Sequence, residues 1–255
     1  MDWLTSLLLG VLQGVAEWLP VSSEGWIYVI STLLLKIDPR EALTSALFLH
    51  LGTSTAAILV LRREIREALL EILRRKDNGL GTFLAFTTAF TCFTGFPLYL
   101  LLRKVLQPSL GRALALATGF LLLGVGLFIK AASSHRTRET SLSLGSSALA
   151  GFLQGLSVLP GVSRSGITLA ALMFLGFGRS SLKICFLLGI PVTLGASLLQ
   201  IPSLDISMLP AFVSSFLTSI ISLRTLLSLS NRIEPWKLSF SFGLMAILLS
   251  VPLFL

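Results

Sequence analysis

Apolar side chains run almost unbroken through six stretches of the chain: 42–61, 80–102, 110–131, 182–200, 207–229 and 236–255. Each is close to the ~20 residues that a helix needs to cross the ~30 Å hydrocarbon core of a bilayer. None alternates polar and apolar as a transmembrane barrel strand would. In lipid the backbone must close its hydrogen bonds within the segment, so the pattern predicts spanning helices. Four more apolar segments, 3–19, 24–35, 142–159 and 166–177, are too short or too interrupted to span. They form two pairs, each broken at a proline-containing polar turn, Pro20 to Glu24 and Pro160 to Ser165. Helix, break and helix with polar residues at the tip predicts a re-entrant hairpin. Irregular backbone is tolerated at membrane depth only where it is buried in protein or lines a cavity.

Composition agrees. Hydrophobic residues make up 54% of the 255 and charged ones 13%, against about 25% charged in soluble domains. The expectation is an all-α polytopic membrane protein. The N-terminus is not read as a signal peptide: Asp2 is its only early charge, and no basic segment or small-residue cleavage site frames it. Cys92 and Cys185 both fall inside apolar runs without metal-ligand spacing, so both are expected to be small buried hydrophobes. The formal charge of +8 suits a membrane face bearing anionic lipid. No nucleic-acid motif accompanies it.

The two broken segments resemble each other. "GVLQGVAEWLPVSSEG" at 10–25 aligns with "GFLQGLSVLPGVSRSG" at 151–166, matching Gln13 with Gln154, Pro20 with Pro160 and Ser22 with Ser163 across a one-residue gap. "FLHLGTSTAAILV" at 48–60 likewise resembles "FLLGIPVTLGASLL" at 186–199. The chain therefore divides into two halves of one membrane domain, 1–140 and 141–255. Each half is one hairpin (3–35 and 142–177) followed by three spans. Three crossings per half invert the second half relative to the first. Fourteen Lys and Arg then fall on the side of loop 62–79 and five on the other, with Arg164 left in the membrane. The positive-inside bias puts loop 62–79 in the cytoplasm and both termini outside. The hairpins would meet tip to tip near the midplane, where inverted-repeat transporters place their sites. Loop 62–79 is amphipathic with basic ends and is expected to lie along the membrane surface.

The tips carry the candidate chemistry. Gln13 and Glu17 are four apart and share a helix face, and a carboxylate at membrane depth is costly and usually functional. In the second tip Arg164 offers a planar donor fork suited to phosphate, and Ser163, Ser165 and Thr168 add hydroxyls. Gly161 permits a tight turn before a new helix, whose N-terminus favours an anion. The plainer alternative is that Ser163 and Thr168 only cap and back-bond the helix, with Arg164 paired to Glu17 for structure. Capping alone explains one of Ser22 and Ser23 easily, both less so. Glu24 faces either the cavity or only its helix N-terminus, and His50 makes either a helix–helix contact or a contact with the site.

"QGVAEWLPVSSEG" and "PGVSRSGIT", with "LHLGT" at 49–53, resemble the signature motifs of the undecaprenyl-diphosphate phosphatase family, the bacitracin-resistance membrane phosphatases. The resemblance covers nearly the whole chain. It implies hydrolysis of a polyprenyl diphosphate lipid to its monophosphate in the cell membrane, with the site open to the outer face. The lipid carrier is thereby recycled for envelope glycans. It also implies a divalent cation, Mg²⁺ or Ca²⁺, at Glu17 and Gln13, and it leaves homodimerisation open. Carried over by position, Glu17, Ser23 and Arg164 would be catalytic. Gln13, Ser22, Ser163, Ser165, Thr168 and Gly161 would bind substrate. One position departs: Trp26 stands where the family has a histidine. Proton handling is then expected from Glu24 or His50. His50 sits about eight residues into its span, about 12 Å deep at 1.5 Å per residue, within reach of the first tip. The competing class is a polyprenyl-phosphate flippase or transporter on the same scaffold.

Overall fold

The computed structural model describes residues 2–37, 39–76, 79–105, 111–133, 142–159, 161–198, 208–230, 232 and 234–250. Every regular element among them is helical. The first hairpin is α1 (Trp3–Ala16) and α2 (Ser23–Val29), the latter extended by a π-helical turn over Ile30–Leu34. Then come α3 (Pro39–Val60), α4 (Arg62–Leu73), α5 (Leu80–Val105) and α6 (Gly111–Ser133). The second hairpin is α7 (Leu144–Gly155) and α8 (Arg164–Phe174). It is followed by α9 (Ser181–Leu198), α10 (Leu209–Ser228) and α11 (Pro235–Ser250).

Four of these helices, α5, α6, α9 and α10, are long and apolar enough to cross a membrane. A fifth crossing is made if α3 and α4, bent by 77° at Leu61, count as one. The expected sixth span, 236–255, is represented by α11, a helix of 16 residues ending at Ser250. Its remaining expected residues, 251–255, lie outside the described set, as do Pro160, Arg136, Arg138 and the expected boundary at 140/141. The protein is thus a polytopic helical membrane protein.

Packing follows the rule for helices in lipid. Apolar burial gives little drive there, and small residues let backbones approach. A Cβ on Gly14 of α1 would come within 2.7 Å of Ser215 O on α10, and one on Gly151 of α7 within 2.5 Å of Thr87 O on α5. Hydroxyls bridge the same seams: Ser214 Oγ donates to Leu7 O at 3.0 Å, and Ser239 Oγ to Leu122 O at 2.8 Å between α11 and α6. The first leg of each hairpin therefore leans on a helix from the other half of the chain, α1 on α10 and α7 on α5, while α3 packs on α9. A core of Trp18, Leu61, Phe186 and Leu223 closes the middle of the bundle.

Two expectations change. The helices end earlier than the prolines implied, α1 at Ala16 and α7 at Gly155 with a 3-10 turn over Leu156–Val158, and Ser23 and Arg164 open helices rather than lying within the breaks. Cys92 is exposed on α5, because one face of a spanning helix at the edge of the bundle is left to lipid; Cys185 is buried as expected.

Gly14→Val is expected to destabilise the protein by about 1–3 kcal/mol through overpacking against the α10 backbone. Gly124→Ala, where no atom lies within 4 Å of an added Cβ, is expected to be neutral or stabilising. Thermal unfolding of both variants in detergent checks the pair.

Candidate functional site

A carboxylate buried among helix ends organises the centre of the molecule. Glu17 is the C-cap of α1, its N–H donating to Gln13 O at 2.9 Å, so its side chain leaves the helix where the backbone turns toward Pro20. Every donor a carboxylate can use is supplied. Arg164 Nη2 donates to Oε1 at 2.5 Å, and Gln13 Nε2 and Ser23 Oγ each donate to Oε2 at 2.7 Å. His50 Nε2 lies 3.2 Å from Oε2 and 3.5 Å from Glu24 Oε1. The other ring nitrogen of His50, Nδ1, meets Ala46 O at 2.8 Å. A carbonyl only accepts, so Nδ1 carries the proton and Nε2 faces the acids. Exposure separates the four ionisable groups. The side chains of Glu17, His50 and Arg164 are 2%, 4% and 10% exposed, whereas Glu24 is 37% exposed.

The second tip is stapled to the first. Ser165 Oγ donates to Leu19 O at 2.6 Å. Ser163 caps α8 through Gly166 N at 3.2 Å and lies 3.2 Å from Ser165 Oγ. Gly161 has φ +93°, a turn that an L side chain rarely takes. Thr168 Oγ1 donates to Gln154 Oε1 at 3.0 Å, and Gln154 Nε2 reaches Leu188 O at 3.3 Å. Thr168 thus ties α8 to α7. Ser22 takes a left-handed conformation, φ 57° and ψ 77°, and its hydroxyl makes no cap bond. Non-glycine residues held in that region mark strain that the surrounding fold must impose.

Several members of the cluster carry no motif signal. The Arg164 guanidinium lies over the Trp18 ring, 5.3 Å from its centroid, and Trp18 is fixed by Nε1 donating to Ser219 Oγ at 2.7 Å. On α9, a Cβ at Gly189 would fall on the guanidinium itself. Arg164 is therefore held by an indole and a bare backbone as well as by Glu17. Ser219 and Gly189 are remote in sequence, and only the fold identifies them. Gln154 was visible in the sequence as the repeat partner of Gln13. Trp26, at the position of the family histidine, is buried in edge-to-face contact with Phe242 of α11.

The structure thus gathers Gln13, Glu17, Ser23, Glu24, His50 and Arg164 into one cluster, with Ser163, Ser165 and Gly161 shaping the tip beside it. Thr168 lies one layer back. Two of the three guanidinium nitrogens, Arg164 Nε and Nη1, are buried without a hydrogen-bond partner, and so is Gln13 Oε1. Among the described residues no three His, Cys, Asp or Glu side chains group as a metal cage.

Fold and site define an integral membrane protein with an acid, a hydroxyl, an imidazole and a guanidinium enclosed between two helix breaks. The chain belongs to the bacitracin resistance protein BacA family, whose match runs over residues 6–251. A Haloarcula marismortui protein named undecaprenyl-diphosphatase is 38% identical over 256 residues, covering 94% of each chain. Proteins of that name from Methanothrix thermoacetophila (36% identical, 92% of this chain and 91% of that one) and Saccharolobus islandicus (31%, 98% of both) are also similar.

Removing one partner of a buried ion pair leaves the other charge uncompensated, at about 3–5 kcal/mol. Arg164→Met is expected to cost in that range, and adding Glu17→Gln is expected to return part of it. Denaturant titration of the two singles and the double in detergent reads the coupling. Strict additivity would mean that the pair does not hold the tips together.

Proposed function

We propose that this chain hydrolyses undecaprenyl diphosphate to undecaprenyl phosphate and inorganic phosphate, the activity for which its relatives are named. The observation that carries the reading to these residues is the state of Arg164. One guanidinium nitrogen grips Glu17 while two buried donors stand unpartnered. A planar fork with spare donors suits the oxygens of a phosphate. In phosphoryl transfer, positioning and charge stabilisation supply most of the catalysis.

Ser23 Oγ donating to Glu17 Oε2 is the arrangement of a nucleophile and its base. The Ser23 proton passes to Glu17, and the oxygen attacks the terminal phosphorus. The bond to the bridging oxygen breaks, and the lipid monophosphate departs. Once that proton has left Glu17 through His50, the carboxylate takes one from water. The hydroxide attacks phosphorus, the Ser23 Oγ–P bond breaks, and Oγ takes the proton back from Glu17 as inorganic phosphate departs. Arg164 neutralises charge on the phosphate oxygens. Ser22 and the N-terminus of α8, shaped by Gly161, Ser163 and Ser165, line the tips that receive the headgroup. His50, with Nε2 between Glu17 and Glu24, moves the proton, and the partly exposed Glu24 passes it outward. This pair replaces the imidazole that Trp26 lacks. Nothing in the site favours the transporter alternative.

A divalent cation, Mg²⁺ or Ca²⁺, fits the donors left over. Gln13 Oε1 is a buried acceptor without a partner, and Glu24 keeps an open carboxylate beside Glu17. Such ions take oxygen ligands and often share them with substrate phosphates. Gln13 Oε1 and Glu24 would hold the ion, with Glu17 joining them when its present donors turn to substrate, and the ion would neutralise phosphate charge.

The inverted repeat belongs to the same proposal. Its support is the reciprocal packing of α1 on α10 and α7 on α5, together with the duplicated motifs. The halves 1–140 and 141–255 would be related by inversion, giving six spans and two re-entrant hairpins. Both termini and the mouth of the site would lie outside.

Phosphate release from undecaprenyl diphosphate by purified protein, with Mg²⁺ and with chelator, tests the function. Arg164→Lys is expected to leave turnover strongly reduced, since it restores charge without the fork. His50→Gln is expected to lower it by about 10²–10⁴-fold, the usual contribution of acid–base assistance. Wild-type rates in both variants would remove these roles. For topology, a cysteine at Lys76 is expected to react with an impermeant thiol reagent only from the cytoplasmic face. Labelling from outside alone would sink the inverted arrangement.

A further inference from the structure

A second anion-directed feature lies at the other end of α3. There the chain bends by 77° between Val60 and Arg62. Leu61 is driven into the core with Trp18, Phe186 and Leu223, 1% exposed. Burying that side chain turns the next two residues outward, so Arg62 and Arg63 are both exposed. Arg224 of α10 comes alongside them. The three line a cleft of about 500 Å³ with Glu64, Leu59 and Val60. Glu64 is already engaged with Lys183 at 3.0 Å. Among the described residues, no carboxylate comes within salt-bridge distance of Arg62, Arg63 or Arg224.

The surroundings point to the source of the anion. Leu59 is 44% exposed on the apolar side of the cleft, so the cleft is basic at one wall and open to hydrocarbon at the other. Beyond it α4 runs off the span axis, with Leu69, Ile72 and Leu73 exposed. That is the form of a helix lying in the membrane interface. On α3 the cleft is ten residues past His50, about 15 Å at 1.5 Å per residue, so it is separate from the Glu17 cluster.

We propose that this elbow is a binding site for a phospholipid with an exposed phosphate headgroup. The phosphate would sit among Arg62, Arg63 and Arg224, and the acyl chains along Leu59 and Val60. Guanidiniums match phosphate oxygens bidentately. A lipid supplies both the anion and the apolar tail, whereas free phosphate would use only half of the cleft.

The test is independent of hydrolysis. Full-length protein in detergent is offered phosphatidic acid or phosphatidylcholine, and bound lipid is measured by native mass spectrometry. Each basic residue near a membrane surface is worth about fivefold in affinity for anionic lipid. Wild type is expected to retain phosphatidic acid preferentially. Arg62→Gln/Arg63→Gln/Arg224→Gln is expected to lose about a hundredfold of that preference while keeping its helical circular dichroism and its diphosphatase turnover. Arg74→Gln/Arg75→Gln, at the far end of α4, is expected to retain it. An unchanged preference in the triple variant overturns the site, and so does an equal loss in the Arg74/Arg75 variant, which would make it general surface charge. Displacement of the lipid by equimolar inorganic phosphate would overturn the lipid assignment.

Discussion

The contact between Glu17 and Arg164 is the constraint on which the rest depends. It joins the end of α1 to the start of α8, segments 147 residues apart in sequence, where both side chains are almost fully buried and either charge alone would be costly. Burying two ions is expensive, and only good geometry with further hydrogen bonds offsets it. The structure supplies both. Gln13, Ser23 and His50 complete the carboxylate, and Trp18 and Gly189 hold the guanidinium on two sides. The helix breaks serve this contact by bringing the C-terminal end of α1 against the N-terminal end of α8.

Much of this was legible in the chain. A span must be about twenty apolar residues, so apolar runs placed α3, α5, α6, α9, α10 and α11 within a few residues. The ends were less legible. The prolines marked the breaks, yet α1 ends at Ala16, four residues before Pro20, with Glu17 as its C-cap still at helical angles, φ −54° and ψ −41°. The site followed the same division. Glu17, Ser23 and Arg164 declare themselves because charge and hydroxyls in an apolar chain need partners. Ser219, Gly189 and Trp18 do not, since serine, glycine and tryptophan are ordinary constituents of membrane helices. Only the packing of α10 on α1 and of Gly189 in α9 on Arg164 gives them meaning.

Trp26 shows how position and role come apart. It packs edge to face on Phe242, an aromatic contact between α2 and α11. An imidazole reaches Glu17 from α3 instead. His50 is fixed through Nδ1 by a carbonyl one turn earlier on its own helix, so its placement depends on no loop. A basic nitrogen thus reaches the carboxylate from α3, a continuous helix that runs past the end of α1.

The reciprocal leaning of the hairpins bears on how the protein is made. Trp18, at the end of α1, finds its hydrogen-bond partner Ser219 only 201 residues later. At a synthesis rate of about 5–20 residues per second, that is roughly 10–40 s. For that interval α1 lacks the α10 surface against which Gly10 and Gly14 fit, and for the first 147 residues of it Glu17 also lacks Arg164. The early chain must therefore wait with its polar tip unsatisfied, held near water or by the insertion machinery. The contact of α1 with α10 can close only once α10 has been made.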